Sequence, residues 1–266
     1  MNGSPENISR REFLKAAAVG GLLLSEFVLP ASARAALEKL LNSQEYYNET
    51  LEELLTRLEL AVYESDTEVM WAWVERGGKS YAMNILHKAT DRTAHGVNLT
   101  PLHEDRAVEK AYLLHTHPAA LFLVDPKFPR AKAEQIVRER ESRYARIPSS
   151  GDIMEMVADR VRLNEMNLKR EIKHFVVEPS GVWSYDADLA HPFFKDIFSG
   201  TPEGDTQAEM ARGNWSLGMT LQGALEDWQE RLNGEKGMSE ETRKEFIAVF
   251  AKEYGVTFSY TPRAAT

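Results

Sequence analysis

Residues 111–120 read AYLLHTHPAA, an apolar run that closes on two histidines, His115 and His117, with a threonine between them and a proline behind. They are two of only seven histidines in the chain. The residues before them, KAYLL, have the apolar and aromatic content of a buried strand. On a strand, residues two apart share a face and lie roughly 7 Å apart. Both imidazoles can then reach one cation, and histidine nitrogen suits zinc. Two ligands do not make a site, because a catalytic zinc takes three protein ligands and keeps a position open for water. Taken alone, the pair reads better as two partly exposed histidines at a strand end.

A third ligand lies downstream in PSSGD, residues 148–152. Ser149 and Asp152 stand three apart at the start of PSSGDIMEMVADRVRLNEM, which has a helical pattern. The spacing is that of a capping box, with Ser149 as N-cap and Asp152 in the first turn. Capping does not preclude metal binding, since a first-turn carboxylate can also point away from the helix.

HTHP followed by PSSGD resembles the JAMM (MPN+/JAB) zinc metallopeptidase motif, and the setting resembles a secreted bacterial member. The resemblance covers about residues 66–190. It implies an α+β fold of the cytidine-deaminase-like type and one zinc per chain, held by His115, His117 and Asp152. It implies that Ser149 stabilises an oxyanion and that a glutamate on an earlier strand is general acid and base. Glu68, forty-seven residues before His115, opens the strand-like TEVMWAWVERGG and is the choice for that role. Glu64 and Glu75 are the alternatives, and the glycine of the family's pattern falls on Trp71. Thirty-four residues separate His117 from Asp152, far more than in the family, so residues 119–147 read as an insertion.

Outward from the motif, TEVMWAWVERGGKSYAMNILHKA reads as two strands around a tight Gly-Gly turn, and EIKHFVVEPSGVWSYDAD as a second hairpin. Residues 35–63 carry leucines at helical spacing, and residues 89–108 read as loop. The insertion starts apolar (ALFLVDP) and continues as a charged helical run, RAKAEQIVRERESRYAR. Two helices are expected in AEMARGNWSLGMTLQGALEDWQERLN and SEETRKEFIAVFAKEY, and a last strand in GVTFSYT. Strands and helices without regular alternation predict α+β, a mixed β-sheet flanked by helices, with a helical insertion and C-terminal helices. The other histidines, His87, His95, His103, His174 and His191, show no ligand spacing and read as surface or loop residues. The five tryptophans read as packing residues.

At the N-terminus, SRREFLK precedes an apolar stretch and ASARA. The layout is that of a signal peptide over residues 1–35, cleaved near Ala33 or Ala35. Arg10-Arg11 matches the twin-arginine address read by that export machinery. Residues 36–266 then form one metallohydrolase domain, periplasmic or secreted, with no membrane span in the mature chain. Cysteine is absent, which excludes disulfides, thiolate zinc sites and a cysteine nucleophile. A net charge of −9 argues against nucleic acid as partner. The expected activity is hydrolysis of a peptide or isopeptide bond in a peptide or protein substrate. The alternatives are a metal-binding or scaffold protein without turnover, and a zinc amidase acting on cell-wall fragments.

Overall fold

The computed structural model describes residues 48–90, 93–97, 107–125, 127–140, 142–165, 169–195, 215–234 and 236–263. The signal segment and the beginning of the N-terminal helical region lie outside the described residues.

The first described helix, α1, is Leu51–Glu64. Thr50 caps it in a reciprocal box with Glu53, each side chain bonding the other's backbone N–H. Leu54, Leu58 and Val62, four residues apart, are its buried stripe. Strands β1, Met70–Arg76, and β2, Lys79–Asn84, form the first hairpin. Its turn is Gly77-Gly78, both at positive φ (59° and 71°), the conformation that closes a two-residue hairpin with the right twist.

Leu86–Thr90 (β3) and Thr93–Val97 (β4) form a separate antiparallel ribbon. The loop expected over residues 89–108 is corrected there. Asp91-Arg92 between these strands carries no glycine or asparagine turn signal, so the hairpin left no mark in the sequence. Val108–Thr116 is β5, ending one residue short of His117.

The insertion begins with a short 3-10 turn, Ala119–Leu123, followed by helix α2, Arg130–Glu139. The helix stops at Arg140, which adopts the left-handed conformation at φ 51°. Residues 142–146 of the charged run are not helical, and residues 142–148 form a strap that leads into α3, Ser150–Glu165. Then come β6, Glu171–Glu178, and β7, Gly181–Ala187. Helices α4, Trp215–Leu232, and α5, Glu240–Tyr254, precede the last strand β8, Val256–Pro262.

Six strands form one mixed sheet in the order β2-β1-β5-β6-β7-β8. Only β5 and β6 are parallel; the other neighbours are antiparallel. One face packs on α1 through Trp71, Trp73, Leu114 and Val177. On the other face α3 is the inner layer, and α4 and α5 complete a core around Trp183, Phe246 and Phe258. The insertion closes its own small core on Phe122, Ile136 and Tyr144. The architecture is α+β, a mixed sheet flanked by helices. No described helix is long and apolar enough to cross a membrane.

Candidate metal centre

The centre forms where β5 ends. In the ladders His115 stands opposite Met70 of β1 and Val176 of β6, and it is buried. His117 lies one step past the strand but keeps its pairing, its N–H donating to the Val177 carbonyl at 2.9 Å. The threonine between them has its own task. Thr116 N–H donates to the Val69 carbonyl, and its Oγ1 accepts from the Val69 N–H, both at 3.0 Å. These bonds fasten the residue after Glu68 to the residue between the two histidines.

Asp152 comes from the first turn of α3. Ser149 caps that helix: the Asp152 N–H donates to Ser149 Oγ at 3.2 Å, and the Ser149 N–H and hydroxyl donate back to Asp152 Oδ2 at 2.6 and 2.7 Å. The cap turns the carboxylate onto the histidines, 3.2 Å from His115 Nε2 and 3.6 Å from His117 Nε2. The two Nε2 atoms are 3.3 Å apart. One ligand atom from each of the three residues lies within 4.8 Å of the others, a group that could hold a metal ion.

His117 is oriented for that role. Its Nδ1 is 3.0 Å from the Arg146 carbonyl oxygen. A carbonyl only accepts, so Nδ1 carries a hydrogen, and in the neutral tautomer this leaves the Nε2 lone pair facing the cluster. Metal-bound histidines are commonly held this way through the other ring nitrogen. Burial opposes charge on both Asp152 and His115, yet their mutual attraction wins. The histidines hold the Asp152 carboxyl well below its ordinary range, while Asp152, with help from Glu68, raises the His115 imidazolium.

The three glutamates separate cleanly. Glu68 is half-buried at the entry to β1, and its charge is felt by His115 and Arg146. Glu75 is paired with Lys110 at 2.8 Å, five residues further along β1 than the partner of His115, or about 17 Å. Glu64 is exposed at the end of α1, 3.7 Å from Arg140. Of the three, Glu68 is the one whose charge acts on a candidate ligand.

Beneath His117 lies a polar network with no mark in the sequence motifs. Glu178 closes β6 with no solvent exposure. It accepts from the backbone N–H groups of Arg146 (2.9 Å) and Ser180 (3.2 Å), the Ser180 hydroxyl and Trp183 Nε1 (3.2 Å). Arg146 is thus held through its N–H by Glu178 while its carbonyl holds His117. On either side, Gln229 of α4 and Asn233 just after it bond the main chain of Ala145 and Ile147. The inward alternation Ile172, His174, Val176, Glu178 was the one available signal for this acid.

The same alternation corrects the surface reading of His174. It is buried, its Nε2 3.4 Å from Asp159 on α3, which packs over it. His191 does lie outside the centre, at the N-cap of a short 3-10 turn. His103 and the side chains of His87 and His95 lie outside what the structure describes. Trp71, Trp73, Trp183 and Trp228 are packing residues.

No protein-family model, curated protein or solved structure matches this chain. The cluster offers two imidazole nitrogens and a carboxylate, with the Ser149 hydroxyl bonded to that carboxylate and the charge of Glu68 acting on His115.

Proposed function

We propose that this protein is a zinc-dependent hydrolase of the JAMM type, exported by the twin-arginine route, that cleaves a peptide or isopeptide bond. The observation carrying this reading is the convergence of His115, His117 and Asp152, with the His117 tautomer set by the Arg146 carbonyl. A His-His-Asp donor set suits zinc and leaves a coordination position open. When bound, zinc would acidify a water and polarise a carbonyl. Glu68 takes the proton from the attacking water and returns it to the leaving amine. Ser149, at the helix start beside Asp152, donates to the developing oxyanion.

A scaffold that binds metal without turnover is the second reading. It is favoured by the Ser149 hydroxyl, which serves here as a helix cap bonded to Asp152.

Metal analysis and a peptide-cleavage assay separate the two. Purified protein is expected to carry about one zinc per chain, lost in Asp152→Ala and His115→Ala. Glu68→Gln should keep the zinc and lose roughly 10²–10⁴-fold in turnover, while Glu64→Gln and Glu75→Gln stay active. Wild type that takes up no zinc sinks the metal site. Full activity in Glu68→Gln removes Glu68 as the base.

A further inference from the structure

A groove of about 970 Å³ separates the insertion from α4 and opens beside the metal centre. Its size is near the upper end for small-ligand sites. Ser149 and Pro148 form its inner end, and the Ser149 hydroxyl is 2.7 Å from Asp152. An occupant of the groove therefore lies against the residue that caps Asp152. Leu121, Phe128, Ile147 and Leu225 give it an apolar lining. At the outer edge Val124 is 52% exposed and its neighbour Leu123 38%, two of the four exposed large hydrophobics among the described residues.

Most main-chain groups of residues 145–147 of the strap are already taken. The Ala145 N–H and carbonyl are taken by Asn233 and Gln229, the Ile147 N–H by Gln229, the Arg146 N–H by Glu178 and its carbonyl by His117. With those groups taken, the strap offers side chains rather than main chain for recognition. Lys127 spans the groove to Glu226 and Glu230, both at 3.2 Å. These pairs are about half exposed, and such surface bridges are weak enough to part for a ligand.

We propose that this groove binds an apolar side chain of a polypeptide substrate and so selects which bond reaches the metal centre. The proposal rests on the metallohydrolase reading above. It makes the insertion, with α4, the element that sets specificity.

The test uses zinc-loaded Glu68→Gln protein and a dansylated hexapeptide with two adjacent leucines, followed by fluorescence titration. A counterpart with serines in place of the leucines is expected to bind roughly 10- to 100-fold more weakly, the worth of burying a leucine. Adding Gln222→Trp, an exposed groove position on α4, should weaken the leucine peptide by a similar factor while zinc content holds. N-methylation of the leucine amides should leave binding nearly intact. Equal binding of the leucine and serine peptides, or no effect of Gln222→Trp, would overturn the proposal, as would loss of binding on N-methylation. Hydrolysis is read in parallel on the wild type. Cleavage without groove-dependent binding overturns the groove alone. Groove-dependent binding without cleavage of any peptide overturns the hydrolase and leaves a peptide-binding site.

Discussion

Glu178 is a carboxyl sealed inside the fold one main-chain residue away from His117. Burial pushes it up to about 7, against four hydrogen-bond donors that favour its charge. In the unfolded chain the same carboxyl titrates at its ordinary value of 4.5. Between those values the folded state holds the extra proton, so the Glu178 contribution to stability falls as pH rises and levels off above 7. The full loss is about 3 kcal/mol. Urea unfolding of the metal-free protein between about pH 5 and pH 8 should show this slope in the wild type and not in Glu178→Gln. The variant should also be less stable at low pH by about 1–3 kcal/mol, since an amide cannot accept from all four donors. Identical pH slopes in the two proteins would rule out Glu178 as the titrating group.

The strap is the element on which the centre depends. Its main chain is held by side chains: Gln229 near the end of α4, Asn233 just past it, and Glu178 from β6. Removing both amides, Gln229→Ala with Asn233→Ala, leaves buried main-chain groups of Ala145 and Ile147 without partners. That costs roughly 2–4 kcal/mol at about 1 kcal/mol per bond. The Arg146 carbonyl would then hold His117 less firmly. Zinc affinity is expected to fall roughly 10- to 100-fold, the usual effect of loosening a ligand's outer partner. Zinc titration with a competing chelator measures it, and unchanged affinity would disconnect strap from metal. The wild-type insertion, packed on Phe122, Ile136 and Tyr144, should resist limited proteolysis, whereas the double variant should be cut within residues 142–147. Rapid cutting of the wild type over residues 125–145 would show that the insertion is not packed.

For the whole molecule, the sheet brings together groups far apart in the chain: Glu68 before β1, the histidines at the end of β5 and Asp152 on α3. The antiparallel β1–β5 pairing puts the start of β1 against the end of β5, which places Glu68 at the centre and Glu75 away from it. Export belongs to the same scale, because a protein moved already folded can carry a metal loaded before transport. Arg10→Lys with Arg11→Lys should strand the precursor in the cytoplasm, as read by fractionation and immunoblot; normal export of that variant would sink the twin-arginine assignment.

The sequence by itself determined the elements whose signals are local. The Gly77-Gly78 turn, the leucine stripe of α1, the cap pair Ser149 and Asp152, and the C-terminal helices and strand were all legible, because turn chemistry, capping and periodicity act within a few residues. The three candidate metal ligands were legible as two local patterns, HTHP and PSSGD, joined only by their resemblance to a family motif. The geometry of their convergence, the distance of Glu75 from it, and the burial of His174 and Glu178 were decided by the tertiary structure. These depend on strand register and on the layering of α3 over β6. Both are set by side-chain packing between segments many residues apart, which no short window of sequence records.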